Sequence, residues 1–202
     1  MNLEHVKNEL YDLIRSQLAP ELTYHSIHHT QDVHNVCKFY IDHYKINGRE
    51  AELLEIAAVG HDVGFIKTYA NHEQAGAEIT SEIMKRYGYS KGDIAIVTEL
   101  ILATKIPQSP KSFLAQIICD ADLDYLGRDD FRSIGARLKE EWRNYELVPN
   151  LDADFDNIQI GFLKSHFYHT DYAAENRGPV KLKHLSELEN EQKKKALIST
   201  TQ

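Results

Sequence analysis

The sequence predicts an all-α protein, a single bundle of about seven to nine helices. Apolar residues recur at helical spacing along nearly the whole chain. No stretch alternates apolar and polar residues, and no tight Asn-Gly turn joins two such stretches. One segment is apolar on most of its faces, which suits the centre of a bundle.

Residues 2–18 place Leu3, Val6, Leu10, Leu13 and Ile14 on one stripe, and residues 28–45 do the same with Val33, Val36, Tyr40 and Tyr44. Asn47-Gly48 lies between two helical patterns and reads as an inter-helix turn. Residues 50–60 carry Leu53, Leu54, Ile56, Ala57, Ala58 and Val59 and form the all-round apolar segment. It runs into Gly60-His61-Asp62-Val63-Gly64, so a polar pair stands at the end of a buried helix, where both members need partners. Asn71 with Gln74 fits a capping box for the next helix, and Gly88 fits its stop. A further helix is expected from about Ser90 to Ala103. Ser109-Pro110 then suits the cap and first turn of a helix reaching Asp122.

Residues 129–145 and 154–169 read as two more helices, with Phe155, Phe162 and Phe167 as a core stripe. From about Lys181 the composition turns to Lys, Glu, Gln, Ser and Thr, and Ser186 with Glu189 suits the cap of a last helix. The expected division is a helical domain over 1–180 and a charged helix or tail over 181–202, its final ten residues mobile. The lysines at 193–195 read as a solvated face.

The formal net charge of -8 argues against general nucleic-acid binding, which needs a basic face. It leaves room for a small phosphorylated substrate, because a divalent cation and a few basic side chains make a locally positive pocket. No apolar run approaches the roughly 20 residues that span a bilayer, and no early stretch reads as a secretory signal. Cys37 and Cys119 lie far apart in apolar segments and read as buried, reduced thiols. A cytoplasmic protein with no membrane partner is expected; a homodimer is left open.

Three stretches carry candidate chemistry. In YHSIHHTQDV, a helix starting near Ser26 or Ile27 sets His29 in its first turn, and a different phase would favour His28. Adjacent residues in a regular helix point about 100° apart, so His61 and Asp62 face one ion only at a helix end or a distortion. Gly60 and Gly64 permit such a geometry. Asp120-Ala121-Asp122-Leu123-Asp124 ends an apolar helix bearing Phe113, Leu114, Ile117 and Ile118, and carboxylates crowded there need water or a cation. Two imidazoles and two carboxylates suit one divalent metal: Mn, Fe, Co, Ni or Zn, or Mg with water in the remaining positions.

The order His … His-Asp … Asp, with HDVGF and DADLDYLG around it, resembles the HD superfamily of metal-dependent phosphohydrolases over roughly residues 24–126. The resemblance implies metal ligation by His29, His61, Asp62 and Asp122, with Asp120 the alternative to Asp122 and Asp124 a supporting group. YHSIHHTQDV is also similar to the YHNxxHAxDV segment of the cyclic nucleotide phosphodiesterase branch, which implies that His25 protonates the leaving oxygen. The chain departs from that branch in having no histidine at position 65. It departs from the guanosine tetraphosphate hydrolases in carrying Phe65 and Ile66 instead of a Glu-Asp pair, and no GYP motif is present.

His72, ten positions after Asp62, stands where the family often has a histidine that completes a second metal site or contacts phosphate. Thr104 and Lys105 occupy the region of the further histidines, so one metal is expected. Lys67, just after HDVGF, and Tyr172 and Arg177, in an HFYHTDYAAENR segment that resembles a late element of small HD proteins, are the remaining expected substrate contacts. The activity so implied is hydrolysis of a phosphoester of a nucleotide or similar small molecule by a metal-bound hydroxide. Asp122 or a neighbouring carboxylate would orient that water, and the metal with Lys67 or Arg177 would stabilise the developing charge. The rivals are a nucleotide sensor without turnover, a purely structural metal and a two-iron oxygenase. The soft, closed ligand set of a structural site is missing, as are the extra histidines of an oxygenase.

Overall fold

A computed structural model describes residues 2–199. Among them are ten α-helices, two short 3-10 turns and no strand. The expected bundle is there with one helix more than anticipated, because a six-residue helix, Asp171–Asn176, stands between the two longer ones near the carboxyl terminus. The chain divides into two compact units, residues 1–122 and 123–202.

The first unit holds α1 (Leu3–Gln17), α2 (Ile27–His43), α3 (Gly48–Gly60), α4 (His72–Arg86), α5 (Lys91–Ala103) and α6 (Phe113–Asp122). A 3-10 turn, Val63–Ile66, links α3 to α4. The all-round apolar helix α3 is the axis, packing on α1, α2, α4, α5 and α6. Leu53, Leu54, Ile56, Ala57, Ala58 and Val59 are all buried. Each large aliphatic side chain so buried contributes about 1.5–3 kcal/mol, which explains why this helix can carry a polar pair at its end. Cys37 and Cys119 are buried free thiols, and burial pushes both well above the usual thiol range.

The helix ends depart from expectation in three places. Asn71 does precede α4, but in the left-handed region (φ 56°) and without a side-chain cap. Its Oδ1 accepts from Lys105 Nζ at 2.9 Å, while Gln74 donates to Glu78. The full capping box is at Ser90 and Asp93, opening α5. At α6 the N-terminal acceptor is Ser112 Oγ, not Ser109, bonding the Ala115 amide at 3.2 Å. Gly88 (φ 77°) stops α4 and Gly48 (φ 59°) makes the turn into α3, as their sequence contexts suggest.

The second unit holds a 3-10 turn (Asp124–Gly127), α7 (Phe131–Asn144), α8 (Leu151–Ser165), α9 (Asp171–Asn176) and α10 (Gly178–Ser199). The helix α10 begins before position 181 and buries Lys181, His184 and Leu188. It is thus part of this unit, and Ser186 lies inside it, not at its cap. The lysines at 193–195 are exposed on it. Residues 200–202 of the expected tail lie outside the described residues. The aromatic stripe is only half right: Phe155 is buried, whereas Phe167 is 66% exposed. The reason is that α8 ends at Ser165, where His166 turns extended (ψ 138°) and breaks the helical phase. No helix among the described residues is long and apolar enough to cross a membrane.

Candidate metal centre

The site lies within the first unit, where three elements end together. His29 is in the first turn of α2, whose start at Ile27 turns His29 inward and leaves His28 exposed. His61 follows the last residue of α3 and keeps helical angles, whereas Asp62 (φ -105°, ψ 1°) leaves the helix and opens the 3-10 turn. That change of backbone brings the two adjacent side chains to one point. Asp122 is the last residue of α6. Residues two apart on a helix point about 200° apart, so Asp120, also buried, faces elsewhere.

Gly60 and Gly64 act through clearance, not through unusual backbone angles. Neither has positive φ. A Cβ on Gly64 would stand 1.9 Å from the His72 carbonyl oxygen and 2.6 Å from the Gly76 amide nitrogen, and one on Gly60 would stand 2.4 Å from Thr80 Oγ1. These glycines let α4 lie directly against the His-Asp turn.

The donor atoms converge. His29 Nε2 is 3.4 Å from His61 Nε2, 3.1 Å from Asp122 Oδ1 and 3.4 Å from Asp62 Oδ2. His61 Nε2 is 3.2 Å from Asp62 Oδ2 and 3.6 Å from Asp122 Oδ1. One ligand atom from each of His29, His61 and Asp122 lies within 4.8 Å of the others. Donors held roughly 2.1 Å from one ion stand about 3.0–3.4 Å apart along the edges of an octahedron or tetrahedron.

Two further observations fit a cation. His61 Nδ1 faces the Ala58 carbonyl at 2.9 Å; a carbonyl only accepts, so Nδ1 carries the hydrogen and the Nε2 lone pair points into the cluster. Asp62 Oδ2 is buried with no hydrogen-bond partner, although both Nε2 atoms are close. An orphaned carboxylate oxygen in a site this dry asks for a positive charge.

Electrostatics agree. Burial opposes ionisation of Asp62, but the histidines His61, His25 and His29 outweigh it and hold the carboxyl far below its ordinary value. Burial likewise opposes ionisation of Asp122, and His29 and His61 pull it down. Burial disfavours a charged His61, yet the Asp62 and Asp122 carboxylates raise it well above the usual imidazole range. Without a cation, the carboxylates are charged and a proton takes up the balancing role.

The other expected residues divide. His25 packs on the Phe65 ring (centroids 4.2 Å apart, planes 26° apart), 5.8 Å from the His72 ring and 6.0 Å from that of His29. His72 opens α4; its Nδ1 donates to the Tyr69 carbonyl at 3.1 Å, and its Nε2 lies 3.5 Å from Asp62 Oδ1. Lys67 is exposed and lines a groove with Glu9, Glu78, Glu82 and Arg86. Tyr172 and Arg177 belong to the second unit, where Arg177 Nε donates to buried Asp124 Oδ1 at 2.7 Å. Asp124 is therefore an ion-pair partner there, and the cluster of the first unit is built without Tyr172 or Arg177.

Two residues were missed. Glu73 is buried, with Oε1 3.6 Å from His72 Nε2. In the sequence it is an acidic residue in a helix's first turn, a common dipole-favoured choice. In the sequence Phe65 stands out only as a departure from a family pattern, yet its ring stacks on those of His25 and His72.

The fold and site thus define an all-helical protein with a buried histidine–carboxylate centre suited to a divalent metal. The family model named HD domain matches residues 26–124, a hit consistent with the HD-domain superfamily. No curated protein and no solved structure matches the chain.

Proposed function

We propose that this protein is a metal-dependent phosphohydrolase that cleaves a phosphoester of a nucleotide or a similar small molecule. The observation that carries the reading is the convergence of His29, His61, Asp62 and Asp122, with the His61 Nε2 lone pair and a partnerless carboxylate oxygen meeting at one buried point. Those four residues would hold one divalent ion. When bound, such an ion supplies an acidified water and neutralises charge on phosphoryl oxygens.

The chain's own residues supply the remainder. Asp122 orients the attacking water. His25, half-buried at the rim of the cluster, gives a proton to the leaving oxygen. His72, whose Nε2 lies 3.5 Å from Asp62 Oδ1, contributes to holding the substrate beside the cluster. An exposed Lys67 steers the anionic substrate toward an otherwise acidic surface.

The test is elemental analysis of the purified full chain, then a phosphoester panel with Mn, Mg, Co, Ni and Zn added back. Turnover that vanishes together with bound metal in Asp62→Ala supports the reading. Tight nucleotide binding without product under every metal overturns it in favour of a sensor.

A further inference from the structure

The 3-10 turn that follows Asp62 also carries Phe65, a 7% exposed side chain whose amide donates to the Asp62 carbonyl at 3.1 Å. Its ring lies nearly parallel to that of His25, centroids 4.2 Å apart, and to that of His72, centroids 3.8 Å apart with planes 20° apart. With His25 and His72 5.8 Å from each other, the three ring centres form a compact triangle based on Phe65. Tyr24 meets His25 edge-on at 4.6 Å and Tyr69 does so at 6.1 Å. An imidazole held this way has little freedom to turn about its side-chain bonds. The aromatic contact itself favours one orientation.

We infer that Phe65 is a positioning residue, holding the His25 imidazole so that it can protonate the leaving oxygen of an unactivated alkyl phosphoester, such as a sugar–phosphate ester. The inference rests on the phosphohydrolase reading above. In the step concerned, the water oxygen forms the new bond to phosphorus. The ester P–O bond breaks, with its electron pair going to the alkoxide. The alkoxide takes the proton from His25 and leaves as an alcohol. One water proton stays with the phosphate product, and the other restores His25 through solvent. An alkoxide is a poor leaving group and depends on that proton, whereas p-nitrophenolate leaves without it. A residue that merely supports the fold or the metal would affect both kinds of ester alike.

The experiment compares the metal-loaded wild type with Phe65→Leu, using a nucleoside monophosphate and p-nitrophenyl phosphate as substrates. General acid catalysis contributes about 10²–10⁴-fold, so kcat for the alkyl ester should fall about tenfold or more while kcat for the aryl ester falls less than about threefold. In the metal-free protein, the ring-proton resonances of His25 and His72 should both move downfield in Phe65→Leu as the ring current is lost. Phe65→Met serves in the same way if the leucine variant does not fold. Equal losses on the two esters, or unmoved His25 and His72 resonances, overturn the role of Phe65 while leaving the hydrolase reading intact. A wild type that hydrolyses neither these monoesters nor the corresponding alkyl and p-nitrophenyl phosphodiesters overturns both.

Discussion

Replacing Gly64 with alanine tests whether the His-Asp turn depends on direct contact with α4. The added methyl would sit 1.9 Å from the His72 carbonyl oxygen, 2.8 Å from the His72 carbonyl carbon and 2.6 Å from the Gly76 nitrogen. Ordinary heavy-atom contact begins at about 3.5 Å, so α4 must retreat by roughly 1.5 Å. All three atoms are backbone, and no rotamer change can make room. Overpacking that side chains can relieve costs about 1–3 kcal/mol; here the cost should reach about 3 kcal/mol or more, the top of that range. For a chain of this length that corresponds to a fall in Tm of about 6–12 °C.

Gly60→Ala is the control. Its methyl meets the Thr80 side chain, Oγ1 at 2.4 Å and Cγ2 at 3.1 Å, with Ile101 Cδ1 next at 3.3 Å. Thr80→Ala removes the first two atoms, so the cost of Gly60→Ala should shrink in that background. The assay is thermal unfolding followed by circular dichroism, with bound metal measured in parallel. Because His72 opens α4, Gly64→Ala should also displace His72 from Asp62. A Gly64→Ala protein that melts within about 2 °C of wild type and keeps its metal would refute this account of why glycine stands there.

Two further predictions concern charge. Tyr11 donates to His34 Nδ1, and Glu55 Oε2 accepts from His34 Nε2 at 2.9 Å and from Lys7 Nζ at 2.7 Å. The His34 bond and, after the opposing effect of burial, Lys7 lower Glu55 to about 2, so its contribution is present above the unfolded carboxyl value and lost as pH falls toward about 2. Glu55→Gln should cost about 1.5–3 kcal/mol at neutral pH and flatten the acid limb of a stability–pH profile; an unchanged profile counts against the network. For the metal-free centre the signs oppose one another. The lowered Asp62 and Asp122 stabilise above their unfolded values and lose this as pH falls, whereas the raised His61 stabilises below about pH 6.5 and loses it as pH rises through its folded value. A metal competes with the His61 proton, so calorimetric binding heats should vary with buffer ionisation enthalpy and affinity should rise with pH. Identical heats in every buffer would show that no proton leaves.

The sequence made the outline of the site readable because its signals are local. A helix as apolar as residues 50–60 has only one place in a small protein, and a His-Asp pair at its end is conspicuous. The phase of α2 was the only thing separating His29 from His28, and the position of the helix end separated Asp122 from Asp120. Both are matters of about 100–200° around an axis, which a boundary read to within a residue or two cannot decide. What escaped depends on distant chain. Nothing near Gly64 announces that His72 will press against it, and nothing near Asn71 announces that Lys105 will occupy its side chain instead of the helix amides.

The glycines and the orphaned carboxylate belong to one physical problem. Charged groups as buried as His61 and Asp62 cost stability unless partnered. Partnering them by a cation requires that α2, α3 and α6 end within a few ångströms of one another. It also requires the turn after α3 to be tight, and the 3-10 turn Val63–Ile66 provides that tightness by pressing Gly64 onto α4. The same turn sets Phe65 against His25 and His72. Ligand spacing, clearance for α4 and aromatic contact therefore come from one short segment. Residues 60–65 should accordingly tolerate substitution far less than their number of direct contacts with any ion would suggest.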